Sequence, residues 1–363
     1  VNNEPLNPAV LARRIRQWAS ELGFQAIGIT DTHLDQAEIR MFEWLDKGMH
    51  GEMEWMSRHQ KRRSRPHELV PGTTRVISLR MDYFPATARD ADEVLDEPES
   101  AFISRYALGR DYHKVLRKRL QALASRIEQD IGSFGYRVFT DSAPVLEKPL
   151  AEKAGIGWIG KHTNLINKNS GSWFFLGEIY TDLDLPVDSP AEEHCGSCQA
   201  CIDICPTRAI VAPWILDARL CISYLTIEHP GSIPVELRKP MGNRIYGCDD
   251  CQMVCPWNKF SEPTQEIDFE PRHELDTSSL IRLFEWDEKT FLARTEGSAI
   301  RRIGYQRWIR NIAIALGNAP TEARLIEILT RRIDDQSEII REHVRWALLQ
   351  HCPEDLQSTT EPI

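Results

Sequence analysis

Apolar and polar positions set two rhythms along the first half of the chain. Leu11, Ile15, Trp18 and Leu22 recur at helical spacing, so residues 8–22 read as an amphipathic helix. Short apolar runs at 25–30, 75–83 and 136–140 read as strands, the last ending at Asp141, and 172–185 reads as a strand or hairpin. Helical patterns at 41–59, 111–131 and 145–154 lie between them, while 85–100 is acidic and loop-like. Alternation of this kind over residues 1–187 predicts an α/β (α+β) domain. From about residue 278 the pattern is helical throughout. The run Trp308 to Leu316 is echoed 32 residues later by Ile340 to Leu348, an offset that predicts paired, HEAT-like helices. The expected division is therefore 1–187 (α/β), 188–260 (loop-rich) and 261–363 (helical), with 353–363 as a frayed or truncated tail.

Composition narrows the class. The 363 residues are 42% hydrophobic and 27% charged, which excludes wholesale disorder. The net charge of −10 argues against a protein that coats nucleic acid unselectively. Basic islands remain at Arg58 to Arg65, at Lys114 to Arg119, and at Arg301, Arg302, Arg307 and Arg310. No stretch approaches the roughly 18–20 apolar residues of a membrane helix, so no membrane partner is expected. Arg13-Arg14 looks like a twin-arginine pair, but a charged amphipathic helix follows where an export signal needs an apolar run. The expected location is the cytoplasm.

The cysteines change the picture most. Eight of nine lie between Cys195 and Cys255, in a chain too large to be a disulfide scaffold. Cys195, Cys198, Cys201 and Cys205-Pro206 follow the bacterial ferredoxin spacing. Cys248, Cys251 and Cys255-Pro256 form a second run that lacks one local cysteine, and Cys221 can replace it. In two-cluster ferredoxins the fourth cysteine of each run ligates the other cluster. That rule assigns Cys195, Cys198, Cys201 and Cys255 to one [4Fe–4S] cluster, and Cys205, Cys221, Cys248 and Cys251 to the other. Structural zinc also uses Cys-x2-Cys pairs, but it has no need of a third cysteine at the same spacing followed by x3-Cys-Pro. Cys352 stands alone, with no assigned role. Two adjacent clusters move electrons singly, and a wire embedded in so large a chain usually feeds a catalytic centre.

Three motifs mislead. Gly155-x-Gly157-x-x-Gly160 fits the dinucleotide fingerprint, but a helix precedes it where a strand is required. Gly155-x4-Gly160-Lys161 lacks the Ser or Thr of a phosphate loop, since His162 stands there. Asp31-Thr32-His33 resembles an axial-histidine corrinoid motif, but Gln36 stands at its glycine position.

Four further segments carry a specific resemblance. These are Arg105-Tyr106-Ala107-Leu108-Gly109-Arg110-Asp111-Tyr112-His113, Asp141-Ser142-Ala143-Pro144-Val145-Leu146-Glu147-Lys148, Ala154-Gly155-Ile156-Gly157-Trp158-Ile159-Gly160-Lys161-His162 and Asn243-Arg244-Ile245-Tyr246-Gly247-Cys248-Asp249-Asp250-Cys251. With the cysteine runs, and with Cys221 to Thr226, the chain resembles the epoxyqueuosine reductases over about residues 8–350. That resemblance implies the last step of queuosine synthesis: loss of the epoxide oxygen at the wobble position of tRNA. It also implies a cobalamin with its tail base held off cobalt, lying between the α/β domain and the ferredoxin-like two-[4Fe–4S] domain. The helical tail would help hold the anticodon stem-loop. An external electron donor is implied, and a monomer is expected.

The resemblance makes Asp141 the proton donor. A free aspartic acid is a poor donor at neutral pH, so burial is expected to raise its pKa. The bland alternative is an N-cap for the helix that follows, a task Ser142 could also perform. Arg63, Asp141, Lys161, His162, Asn164, Ser223, Tyr224, Thr226, Cys248 and Asp249 are the expected cobalamin contacts. Two rivals share parts of this pattern. A corrinoid reductive dehalogenase would typically carry an export signal and lack the helical tail. A non-catalytic electron carrier would not need the large α/β domain. An RNA-binding module with purely structural clusters is a third.

Overall fold

The structure is a computed structural model, and it describes residues 7–352; the predicted tail at 353–363 lies outside them. Four strands, Ala26–Thr30, Arg75–Asp82, Tyr136–Phe139 and Phe174–Thr181, form the main sheet. In space their order is first, second, fourth, third. Every pairing is antiparallel, with Ile29 opposite Ile77 and Ile77 opposite Ile179. The alternation of strands and helices thus resolves as an α+β arrangement rather than parallel crossovers.

Side chains alternate across this sheet. Ile77, Leu79, Phe175 and Ile179 face Leu11 and Ile15 of helix Pro8–Glu21 and Leu116 and Leu120 of helix Tyr112–Ile131. Val76 and Tyr180 face Leu150 of helix Glu147–Lys153 on the other side. Gly28 is required there: a Cβ would lie 1.9 Å from the carbonyl oxygen of Ala154. Strand Phe174–Thr181, covered on both faces, is buried along its whole length. The helix expected at 41–59 is two helices, Asp35–Asp46 and Glu54–Arg58, and the acidic loop at 85–100 contains a short helix, Ala91–Asp96.

A second core crosses the expected boundaries at 187/188 and 260/261. It combines Ala101, Ile103 and Leu108 with Ile222, Leu225 and Tyr246 and with Leu283, Trp308, Ile312 and Val344. Strand Phe102–Ile103 pairs in parallel with Arg244–Tyr246. Helices Gly304–Asn318 and Glu338–His351, the two halves of the sequence echo, pack together; the ring of Trp346 lies 2.5 Å from where a Cβ on Gly317 would sit.

The polar side of helix Gly304–Asn318 faces protein, not solvent. Arg310 is fully buried and donates to the carbonyls of Leu225 (2.7 Å), His229 (2.8 Å) and Gly231 (2.7 Å). Asn311 donates to those of Thr226 and Ile245, both at 2.9 Å. Arg307 donates to the carbonyl of Ile227. Of the basic island, Arg307 and Arg310 therefore bind backbone and do not form a solvated face. Arg301 and Arg302 remain exposed.

Asn311→Ala would leave two buried carbonyls without their donor. A loss of about 2–4 kcal/mol is expected, read as a lower unfolding midpoint at equal iron content. An unchanged midpoint would mean that the pin is dispensable.

Candidate active site and cluster-binding segment

Asp141 follows the end of strand Tyr136–Phe139 and has φ +38°, a conformation few non-glycine residues adopt. The helix after it starts at Glu147 with Leu146 at its cap and no side-chain capping bond. Ser142 Oγ instead donates to the carbonyl of Thr140 at 3.4 Å. Neither Asp141 nor Ser142 is a helix cap, so the strained backbone serves to place the carboxylate.

Asp141 Oδ2 accepts from the Tyr112 hydroxyl and lies 3.3 Å from His113 Nε2. His113 Nδ1 is 2.7 Å from Asp111 Oδ1, so the imidazole stands between two carboxylates. Desolvation alone would lower the pKa of His113, but hydrogen bonds to Asp111 and Asp141 outweigh it and raise the value to about 9. For Asp141, desolvation pushes the pKa up, yet the bonds from His113 and Tyr112 prevail and hold it below the usual value. The expectation of a burial-raised Asp141 is therefore corrected. At neutral pH the proton rests on His113. The Asp141 side chain is 46% accessible, and the charge of Arg302 also reaches it.

Glu147 stands behind. Its Oε2 accepts from the Asp141 backbone N–H at 3.3 Å, and burial, then the Asp141 charge, raises its pKa to about 8. Glu178, wholly buried on the same side of the sheet, is raised well above the ordinary range by burial and by Glu147. Sequence reasoning quoted Asp111, Tyr112, His113 and Glu147 inside motifs but gave them no roles. The usable signal was their presence beside Asp141 in two motifs of one resemblance.

The eight thiols of the cysteine segment lie near one another. Burial, then the neighbouring Cys195, Cys255 and Cys198, pushes the Cys201 thiol up to about 11. These four line one cavity of about 320 Å³, with Cys198 exposed at its mouth. Trp158 Nε1 donates to Cys195 Sγ at 3.4 Å. Cys251 is raised by burial and then by Cys221, with Cys201 and Cys205 also within reach; Cys248 likewise feels Cys221. Among the described residues no group of three His, Cys, Asp or Glu side chains closes on a single metal ion. The thiols stand around a volume rather than a point.

The second thiol set approaches the acid site, since Tyr106 feels the charges of both Asp141 and Asp249. Asp249, next to Cys248, accepts from Ser104 Oγ (2.5 Å) and from the Arg105 N–H (2.8 Å), which anchors the segment leading to Tyr112 and His113. Lys148 donates to Asn164 Oδ1 at 3.0 Å, and its charge reaches both Cys221 and His162. Arg63 is buried, donates to the carbonyl of Trp55 at 2.9 Å and to that of Ala143 at 3.4 Å, and keeps an Nε with no protein partner. Ser223 is half-buried.

Several expected cofactor contacts have other commitments. The Lys161 ammonium donates to the carbonyls of Gly196 (2.6 Å) and Cys198 (2.8 Å), turned toward the first cysteine run. His162 lines that same cavity. Thr226 is wholly buried, bonded to the Ile222 carbonyl and the Gly247 N–H. The Asp249 carboxylate is used up as described, and the Tyr224 hydroxyl accepts from the Glu52 N–H at 2.8 Å. A full set of short-range backbone and hydroxyl partners leaves Lys161, Thr226 and Asp249 as supports. Gly157 serves packing, since a Cβ would lie 2.2 Å from the Ile166 carbonyl; His33 is exposed and Asp31 pairs with Lys153.

Comparison with known proteins follows this geometry. The family model "Epoxyqueuosine reductase QueG, DUF1730" matches residues 63–142, and a "4Fe-4S double cluster binding domain" matches 194–258. The epoxyqueuosine reductase of Pseudomonas aeruginosa is 59% identical over 351 residues, covering 96% of this chain and 97% of that one. That of Escherichia coli is 58% identical over 348 residues, covering 96% and 91%. Among solved structures, an epoxyqueuosine reductase with an epoxyqueuosine-modified tRNA-Tyr stem loop superposes with TM-score 0.87 at 29% identity, covering 95% of this chain and 91% of that one. The Bacillus subtilis enzyme, solved with its catalytic aspartate loop swung out of the active site, gives 0.86 at 28% identity, covering 95% and 91%.

The paired imidazole has a pH signature. Its pKa is 6.5 when free and about 9 in the fold. The stabilisation is complete below the lower value and is lost as pH rises through the higher one. Stability should therefore fall across that window, and His113→Gln should flatten the fall; an equal slope in both proteins would dissolve the pair.

Proposed function

The chain belongs to the epoxyqueuosine reductase family, and from that premise we propose how its residues perform the reaction. The protein reduces epoxyqueuosine to queuosine at the tRNA wobble position: an epoxide, two electrons and two protons give an alkene and one water. The likeness to curated reductases over nearly the whole chain carries this reading. Family membership sets aside the dehalogenase, carrier and RNA-module alternatives.

Two [4Fe–4S] clusters occupy the double-cluster segment. In our reading Cys195, Cys198, Cys201 and Cys255 hold one, and Cys205, Cys221, Cys248 and Cys251 the other. The first set reaches the surface at Cys198, and the charge of Lys148 reaches Cys221 of the second. An external electron donor therefore meets the first set. The acid site suits a cobalamin because Arg63 carries a buried, unpartnered Nε and Asn164 keeps its amide N–H2 beyond the bond to Lys148. Arg63, Asn164, Ser223 and Tyr224 would hold it. When bound, it supplies electrons at cobalt for breaking the carbon–oxygen bond.

The protein's own part is proton supply. His113 holds one proton at neutral pH, and Asp141 Oδ2 is the acceptor facing its Nε2, 3.3 Å away. Substrate covering the exposed carboxylate would strip its water and favour the neutral pair, with the proton on Asp141, over the ion pair. Asp141 then protonates the opening oxygen, with His113 as its reservoir. Glu147, protonated to about pH 8, stores the second proton directly behind. Tyr112 steadies the acceptor oxygen.

We read the helices from Leu280 to His351 as the HEAT-like module that holds the anticodon stem-loop, with Arg301 and Arg302 as phosphate contacts. Backbone contacts of this kind predict tRNA binding that weakens steeply with salt. Among the described residues no helix is long and apolar enough to cross a membrane. Action on tRNA suits a cytoplasmic monomer.

An anaerobic assay with reconstituted protein, reductant and epoxyqueuosine-containing tRNA tests the reading. Digested nucleosides should lose the mass of one oxygen only when cobalamin is present. Asp141→Asn should lower turnover by about a hundredfold or more at equal cluster and cobalamin content. Full turnover by that variant would remove Asp141 from the chemistry.

A further inference from the structure

Lys161 presents an electrostatic imbalance that the proton chemistry does not use. The side chain is 6% accessible, and its ammonium donates to two neutral acceptors, the Gly196 and Cys198 carbonyls. Among the described residues it forms no ion pair with a carboxylate. Trp214 lies over it, with Nζ 5.8 Å from the ring centroid, and further screens it from water. A buried charge without a counter-charge is costly, and proteins seldom retain one. Glu193, at the same cysteine run, is exposed, so the buried anionic group the surroundings can supply is the one built on the thiols of the cavity that Lys161 itself lines.

The adjoining residue points the same way. His162 is 3% accessible, and its Nδ1 accepts from the Asn164 N–H at 3.1 Å, so Nε2 carries the hydrogen. That Nε2 is buried without a protein partner, in a residue lining the same cavity. Burial keeps the imidazole neutral, so it offers a dipole and leaves Lys161 as the buried cation of this wall. Lys259, the other cation there, is exposed.

We infer that Lys161 is the built-in counter-ion of the first [4Fe–4S] cluster, the one on Cys195, Cys198, Cys201 and Cys255, and sets its reduction potential. The inference rests on the two-cluster reading above. A thiolate-bound cluster is anionic, and its negative charge grows by one on reduction. A fixed ammonium in a poorly solvated wall therefore stabilises the reduced form more than the oxidised form and raises the potential. Placed at the cluster nearer the surface, the charge helps the protein accept an electron from its donor. This makes Lys161 a positioning residue acting through the cluster, with no contact to substrate.

The test is an anaerobic equilibrium redox titration of reconstituted, tRNA-free protein, followed by electron paramagnetic resonance. Wild type should bind eight irons per chain; failure to do so would remove the two-cluster reading itself. Lys161→Gln keeps a donor for the carbonyls but no charge. It should make one cluster about tenfold harder to reduce, a shift of about 59 mV for one electron, and leave the other unchanged. Lys161→Arg should restore the wild-type value. Equal potentials in wild type and Lys161→Gln, at eight irons each, would overturn the inference. A second readout covers loss of the cluster. Metal-free Lys161→Gln should melt no lower than metal-free wild type, because it no longer buries an unpaired charge. A clearly lower melting point would make Lys161 a loop clamp and nothing more.

Discussion

The cysteine segment buries its apolar residues, such as Ile222, Leu225, Ile233 and Ile245, in a core shared with the C-terminal helices, and this dependence shapes the whole molecule. Between Cys221 and Cys248 the chain is short helix, turn and loop, with many backbone carbonyls that must find donors away from water. Helix Gly304–Asn318 supplies them. Arg310 and Asn311 serve five carbonyls, and Asn318 adds those of Arg238 and Gly242. Burial, then the neighbouring charges of Arg307 and Arg238, lowers the Arg310 pKa to about 9, still above neutrality, so the guanidinium remains charged among the carbonyls it serves. The helical region is thus a scaffold for the second thiol set before it is anything else. Whatever it does for RNA is done from its remaining surface.

The same economy couples the thiols to the acid site. Asp249 belongs to the cysteine run, yet its carboxylate fixes Ser104 and Arg105, where the segment toward Tyr112 and His113 begins. Asp111 caps helix Tyr112–Ile131 through the His113 N–H and also holds the His113 ring. The Asp249 bonds, the short covalent stretch from Ser104 to Asp111, and the Asp111–His113–Asp141 contacts therefore link the cysteine run to the acid. A shift in the cysteine run would be felt at the acid, because the links from Asp249, Ser104 and Arg105 to Asp111 and His113 are buried or half-buried.

How much of this was legible depended on the physics behind each residue. Cysteine spacing announced a double-cluster segment because cluster ligation fixes the distances between ligands, and a double-cluster family model matches residues 194–258. The pattern of apolar residues gave the helix at 8–22 and the strand at 75–83 nearly to the residue, since the helix buries one regular face and the strand is a short run buried on both. Lys161, Thr226 and Asp249 were assigned to a cofactor because a motif marks importance but not direction. Which way a side chain turns is decided by partners far away in sequence, such as Gly196 for Lys161 and Ser104 for Asp249. The basic run at 301–310 misled for a related reason: helical period alone does not say that Arg310 points into backbone carbonyls.

The sign of the Asp141 shift shows why a site must be read as a set of charges. Burial alone would make that carboxyl a ready acid, as single-residue reasoning expects. The imidazole beside it reverses the result by offering a better place for the proton. Nothing is lost to catalysis by this, because the ion pair and the neutral pair hold the same proton across one 3.3 Å contact. What separates the two forms is solvation: water at the exposed edge of Asp141 favours separated charges, and exclusion of that water favours the neutral acid. An acid armed by the arrival of substrate has an advantage in a reductase, since a permanently protonated group near a strongly reducing centre invites wasteful proton reduction. The pairing of Asp141 with His113 keeps the proton close but held until the epoxide is in place.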